Sequence, residues 1–276
     1  MNELQKKEFE LLEVFIDLCN KLNLKYYLVC GTALGAVKYG GFIPWDDDVD
    51  VALARDDYEV FISKAQEFLP EHIFLQNYKT DPAFTHVFSK LRDSKTTYIE
   101  KSVAHLDINH GVYIDIFPLD GYPLSKKEIT KFEFQKKVLS YKISCVYNAK
   151  RNLKGKILCF VERLFGCHKR TYKYVSKLDS LYSGCKLKDS RFWCNYGNWQ
   201  GKLEYAPKEQ YGNGIEMSFE GKKVIVPERF DEYLSQKYGN WRKDLPKEER
   251  KGHHYYTVMD LNKSYTEYLI KEEKNG

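Results

Sequence analysis

Four carboxylates crowd one short stretch of this 276-residue chain, Phe42-Ile43-Pro44-Trp45-Asp46-Asp47-Asp48-Val49-Asp50-Val51-Ala52-Leu53. Asp48 and Asp50 stand two apart, and Asp50 is set between valines in an apolar run that reads as a strand. Side chains two apart on a strand leave the same face, so these carboxylates project side by side. They repel each other, and a carboxylate among buried valines is expensive unless something compensates it. A divalent cation supplies that compensation. Mg²⁺ in particular takes one or two carboxylates and leaves its other positions to water and substrate phosphate. Upstream, Tyr26-Tyr27-Leu28-Val29-Cys30 reads as a strand running into Gly31-Thr32, where backbone amides can turn toward a phosphate before a short helix over 33–38. Tyr39-Gly40-Gly41 breaks that helix and Pro44 stiffens the return. The stretch reads as a metal-dependent phosphate site, against the plainer alternative of a solvated acidic turn.

A third carboxylate interrupts another apolar strand, Gly111-Val112-Tyr113-Ile114-Asp115-Ile116-Phe117. If the two strands are neighbours, Asp115 completes a cluster that binds metal and accepts the proton of an attacking hydroxyl. Asp120, before Gly121, reads as a turn residue. In Phe88-Ser89-Lys90-Leu91-Arg92-Asp93, alternation places Lys90 and Arg92 on one face, where both could meet a diphosphate. A solvated strand face explains the same pattern. Lys38, on the helix after Gly31-Thr32, is a further phosphate candidate.

The Gly-Thr turn, the short helix and the Gly-Gly-Phe-Ile-Pro-Trp-Asp-Asp-Asp-Val-Asp run resemble the LicD family of phosphotransferases, of the nucleotidyltransferase-fold superfamily. Asp115-Ile-Phe-Pro-Leu-Asp120 is similar to the same family. So is the late run Phe219-Glu220-Gly221, Val226-Pro227, Tyr238-Gly239-Asn240-Trp241 and Leu245-Pro246, so the likeness spans about Leu22 to His254. The resemblance implies an α/β fold, a nucleotidyltransferase-like mixed sheet flanked by helices, carrying a helix-rich insertion. It implies Mg²⁺-dependent (Mn²⁺ as the alternative ion) transfer of a phospho-alcohol, phosphocholine first, from a CDP-linked donor such as CDP-choline to a hydroxyl of a cell-surface glycan. In that reading Asp48, Asp50 and Asp115 hold metal, one of them acts as base, and Gly31 and Thr32 cradle the diphosphate. Lys38, Lys90 and Arg92, with Arg92 favoured, would neutralise the departing CMP. Two rivals stay open: a nucleotidyltransferase that releases pyrophosphate, and a non-catalytic glycan- or metal-binding protein.

The elements that position these residues fall into three regions: a catalytic core over 1–125, a helical insertion over 126–190, and a return to the core over 191–276 that could carry the acceptor surface. The spacing predicts an amphipathic helix over 3–22, a helix over 55–69 stopped by Pro70, and strands at 73–76, 85–91, 97–100 and 111–117. A short strand over 222–226 and a helix over 229–238 follow near the C-terminus. Net charge of +5, from 44 basic and 39 acidic residues, is too balanced to argue for nucleic acid. Seven cysteines without a C-x-x-C pair read as reduced. A zinc set of Cys185 and Cys194 with His253 or His254 lacks ligand spacing. No apolar run is long enough to span a bilayer, so a cytoplasmic enzyme is expected. Residues 150–170 combine Leu153, Ile157, Phe160 and Leu164 at helical spacing with many cations. They could lie on an anionic membrane at its inner face, near a lipid-linked acceptor, or pack in a core with a solvated basic face.

Overall fold

The computed structural model describes residues 1–147, 152–164, 170–198, 200–252 and 254–269. Helix α1 (Glu3–Leu22) starts with a reciprocal cap: the Asn2 side chain accepts from the Gln5 amide, and the Gln5 side chain reaches back. It ends where Asn23 takes the left-handed conformation. Leu11, Leu12, Phe15, Ile16, Leu18 and Cys19 form its buried stripe. Each large side chain so buried is worth about 1.5–3 kcal/mol.

After α1 come β1 (Tyr26–Leu28), α2 (Cys30–Tyr39), β2 (Asp50–Ala54), α3 (Arg55–Lys64), β3 (Ile73–Gln76), β4 (Ser89–Asp93), β5 (Thr97–Glu100) and β6 (Val112–Leu119). Five of these strands form one sheet in the order β1-β2-β6-β4-β3. Only the central pair, β2 and β6, runs parallel. Every residue of β6 is buried, which is why its sequence is an apolar run broken by Asp115 alone. Helix α1 lies over β4 and β6, and α3 over β2 and β6. This is the mixed α/β architecture that the sequence predicts.

The differences are local. Helix α3 stops at Lys64 and tightens into a 3₁₀ turn over Ala65–Glu67, short of the predicted residue 69. The strand expected over 85–91 is shifted to Ser89–Asp93, because β3 and β6 supply ladder partners only there. Asp120 is not a simple turn residue. It is buried and grips Arg55 with both oxygens, at 2.8 and 2.6 Å, while Asp179 takes the same guanidinium at 3.0 Å. That bidentate pair ties the end of β6 to α3 and to the helical region.

The helical region consists of α4 (Lys126–Ser144), α5 (Leu153–Leu164) and α6 (Thr171–Ser183). It has clusters of its own. Phe132, Ile143, Val175, Leu178 and Tyr182 pack with Tyr78 and Val87, and Cys145, Val146 and Cys159 pack with Phe84 and Val103. The apolar stripe of α5 does not enter them: Leu153, Ile157, Phe160 and Leu164 are each more than half exposed. Of the segment 150–170, residues 150–151 and 165–169 lie outside the described residues, as do Trp199 and His253.

The chain returns through β7 (Phe192–Cys194), β8 (Tyr205–Pro207), the one-turn α7 (Lys208–Tyr211), the hairpin β9 (Ile215–Phe219) and β10 (Lys222–Val226), and α8 (Phe230–Tyr238). Finally β11 (Tyr256–Asp260) pairs with β5. The β9–β10 turn explains the Gly-Gly pair. Glu220 accepts from the Phe42 amide at 3.0 Å, and a Cβ on Gly41 would lie 2.2 Å from its Oε1. The hairpin thus clamps the loop that leads to Asp46. No helix among the described residues is long and apolar enough to cross a membrane.

Candidate functional site

Strand register brings the predicted carboxylates together. Asp50 is the partner of Asp115 across β2 and β6, and Asp115 is the partner of Lys90 across β6 and β4. Paired residues on adjacent strands share a face. All three therefore open into one cavity of about 660 Å³, which Asp46, Asp48, Gly31, Lys38 and His254 also line. Asp48 stands just ahead of β2 rather than inside it, because the ladder to β6 begins at Asp50, yet its carboxylate still faces the cavity.

The electrostatics of the cluster are those of a site built for a cation. Burial pushes the Asp50 carboxyl well above the usual range, and the charges of Asp48 and Asp115 push it further. Asp46 is raised well above its ordinary value by burial, then by Asp48 and Asp47. Burial also raises Asp115, against the opposing pull of Lys90, whose Nζ lies 2.7 Å from Asp115 Oδ1. One ammonium does not balance Asp46, Asp48, Asp50 and Asp115. The donor set, all carboxylate oxygens around an open cavity, fits a divalent ion of the Mg²⁺ or Mn²⁺ kind.

The Gly31-Thr32 turn works differently from the expectation. Gly31 does line the cavity, and a Cβ there would lie 2.9 Å from Asp46 Oδ2, so the missing side chain is what admits Asp46 against the start of α2. Thr32 faces inward. Its Oγ1 accepts from the Asp50 amide at 2.8 Å and fixes the start of β2, so its hydroxyl positions the cluster rather than a phosphate. Cys30, before them, holds a left-handed φ of 53°, a conformation that costs a non-glycine residue about 1–3 kcal/mol. Its amide donates to Tyr233 Oη at 3.1 Å, and its Sγ accepts from Asn198 and Lys237. Those contacts from the C-terminal part over-determine the turn.

The cations divide. Lys90 reaches the cavity, but Arg92, the favoured phosphate ligand, does not. Arg92 is fully buried, donating from Nε to Gln76 and from Nη1 to the Gly111 carbonyl, with Glu100 at 3.5 Å. Alternation places it on the same face as Lys90 but two residues on, paired with Tyr113, where that ring and Glu100 of β5 cover it. Lys38 also lines the cavity, held 2.8 Å from Asp244 and donating to the Trp241 carbonyl. Lys243 joins it there, and Tyr39, Trp45 and Trp241 add aromatic faces.

Two further groups belong to the site although sequence reasoning left them aside. Asp46 is one. His254, weighed in the sequence only as part of a zinc set, is the other. Its Nδ1 lies 3.2 Å from Asp47 Oδ1, its amide donates to Asp47 Oδ2 at 3.0 Å, and its Nε2 stands 3.9 Å from Asp48 Oδ2. Burial by itself would lower the His254 imidazolium, but the hydrogen bond to Asp47 and the charge of Asp48 raise it to about 10. Among the described residues the ligand atoms that cluster with His254 are those of Asp47 and Asp48, not those of Cys185 and Cys194. The available signal was the late run ending near His254, which the family resemblance already spanned.

Comparison with known proteins gives one family. Residues 23–153 match the model described as LicD/FKTN/FKRP, nucleotidyltransferase domain. Over 263 residues the chain is 29% identical to "Lipopolysaccharide cholinephosphotransferase LicD" of Haemophilus influenzae, covering 92% of this chain and 96% of that protein. It is also 30% identical over 116 residues to an uncharacterized protein of Rickettsia prowazekii, covering 42% of this chain and 40% of that one. The matched span 23–153 contains Asp48, Asp50, Lys90 and Asp115.

Proposed function

We propose that this chain is a LicD-type phosphotransferase that transfers phosphocholine from CDP-choline to a hydroxyl of a cell-surface glycan, releasing CMP. The observation that carries the reading is the meeting of Asp48, Asp50, Asp115 and Lys90 in one cavity that Lys38, Lys243, Trp45 and Trp241 also line. The relative of nearly equal length named a lipopolysaccharide cholinephosphotransferase supports the choice of donor group and of acceptor class.

Asp48, Asp50 and Asp115 would hold the divalent ion. When bound, it neutralises the carboxylates and draws charge from the phosphoryl oxygens. The protein's own groups do the rest. Lys38 and Lys243, which line the same cavity, attract the diphosphate and offset the charge that gathers on CMP as it leaves. Trp45 and Tyr39 offer faces to a quaternary ammonium; Arg250 already stacks over Trp45 at 5.2 Å, the position such a group would take. The acceptor hydroxyl gives its proton to a carboxylate of the cluster as its oxygen attacks the phosphorus. Catalysis is then chiefly positioning and electrostatics.

The reading includes contact with an anionic membrane through α5. Its exposed Leu153, Ile157, Phe160 and Leu164, with Lys154, Lys156 and Arg163, suit the headgroup plane and would hold the enzyme near lipid-linked acceptor. The test of the chemistry is a donor panel. CMP released from CDP-choline with Mg²⁺ or Mn²⁺ supports transfer; pyrophosphate released from a nucleoside triphosphate supports nucleotidyl transfer instead. Metal or glycan binding without donor consumption supports a binding protein.

A further inference from the structure

The segment that carries His254 is placed by both of its neighbours. On one side Gly252 lies so close to Asp47 that a Cβ there would be 2.3 Å from Asp47 Oδ2. On the other, β11 begins two residues later and pairs Tyr256 with Glu100 of β5. Tyr113 meets the His254 ring edge-on at 6.3 Å. The ring is therefore held over the carboxylates rather than left on a tail.

Its orientation is that of a metal ligand. A histidine that binds metal through one ring nitrogen typically gives the other to a carboxylate, which fixes ring and tautomer. Here Nδ1 faces Asp47 at 3.2 Å, and Nε2 is turned to Asp48 Oδ2 at 3.9 Å. Two donors on one ion with bonds of about 2.1 Å stand roughly 3 Å apart when adjacent and roughly 4.2 Å when opposite, so 3.9 Å is within reach of a shared cation. Donor atoms of Asp47, Asp48 and His254 all lie within 4.8 Å of one another. A second observation points the same way. Glu8 of α1 is buried with no hydrogen-bond partner for Oε2 among the described residues. Gln5, one turn before it on α1, donates to the Ile43 and Asp46 carbonyls, so this face of the helix lies against the segment that carries the cluster.

We propose that His254 is a metal ligand, its Nε2 sharing the cation of Asp48 while Asp47 orients the ring, so that the centre is a mixed nitrogen–oxygen site. This rests on the metal-dependent reading above and extends it, because the carboxylates expected from the sequence supply oxygen alone. An imidazole donor shifts preference from Mg²⁺ toward Mn²⁺.

The test needs neither donor nor acceptor. Mn²⁺ is added to the full-length protein and the electron spin-echo envelope of the bound ion is recorded for coupling to ¹⁴N. Coupling in the wild type, lost in His254→Ala and kept in Asp47→Asn with affinity weakened roughly 10- to 100-fold, is the expected result. Bound Mn²⁺ without ¹⁴N coupling overturns the inference and leaves the transferase reading standing. Coupling that survives in His254→Ala also overturns it and assigns the nitrogen to His86, which lines the same cavity. Failure of the protein to bind Mn²⁺ at all overturns this inference and the metal-dependent reading together. Should His254→Ala fold poorly, His86→Ala decides: coupling kept in that variant assigns the nitrogen to His254, and coupling lost overturns the inference.

Discussion

Replacing Lys90 with Met should unbalance the candidate site in a way that can be measured without substrate. Lys90 Nζ lies 2.7 Å from Asp115 Oδ1, with the two side chains 3% and 9% exposed. Removing one partner of such a pair leaves a buried charge uncompensated and costs about 3–5 kcal/mol. Glu100, 3.9 Å from Nζ, keeps Arg92 at 3.5 Å, so the deficit falls on Asp115 and the low end, about 3 kcal/mol, applies. At roughly 2–4 °C per kcal/mol for a chain of this size, Lys90→Met should lower Tm by about 6–12 °C in EDTA. Two controls sharpen the test. Lys90→Met/Asp115→Asn should be more stable than Lys90→Met alone, since the orphaned charge is gone. Lowering the pH should also restore Lys90→Met. Burial lifts the Asp115 carboxyl in the folded protein, and losing Lys90 removes the opposing charge, so protonation favours the folded state. Scanning fluorimetry across pH reads all three. A Tm for Lys90→Met within about 1 °C of wild type, or a double mutant less stable than the single, would refute the reasoning.

Asp50→Asn should abolish turnover and yet raise the metal-free Tm, because burial, Asp48 and Asp115 penalise its ionised form. A carboxyl raised in the folded state loses stability as pH climbs from its unfolded value toward the folded one, so metal-free wild type should be more stable near pH 5 than near pH 8, and the variant less pH-dependent. Arg92→Met should destabilise the fold by about 3 kcal/mol or more, stranding Gln76 and the Gly111 carbonyl, while the KM for donor stays unchanged in the folded fraction. If α5 meets a membrane, the protein should co-sediment with anionic but not neutral vesicles at about 1 kcal/mol per nearby cation. Salt, or Lys154→Glu/Lys156→Glu/Arg163→Glu, should weaken that binding, and no binding at low salt would exclude this surface.

Much of the core was legible because local pattern and tertiary role coincide there. The α1 stripe, the strands at 73–76 and 97–100, and the isolated Asp115 in an apolar run each state their environment directly. Strand adjacency was less accessible: that Asp50 faces Asp115 depends on a parallel pairing between segments about sixty residues apart, which spacing suggests only by conditional argument. Arg92 shows the limit of alternation, which assigns a face but not how far along that face the solvent reaches. Thr32 shows another, since a hydroxyl beside a glycine turn serves a phosphate or a strand equally well until the strand is placed. His254 lies beyond both, because its partners Asp47 and Asp48 are some two hundred residues away and the packing of Gly252 on Asp47 and of β11 on β5 brings it back.

The most direct test of the central claim is product analysis with CDP-choline and a choline-free acceptor glycan, comparing wild type with Asp50→Asn. The account expects phosphocholine on the glycan and CMP in equal amounts, both dependent on Mg²⁺ or Mn²⁺ and both absent with the variant. Pyrophosphate from a nucleoside triphosphate in place of CMP, or full transfer by Asp50→Asn at saturating metal, would contradict it.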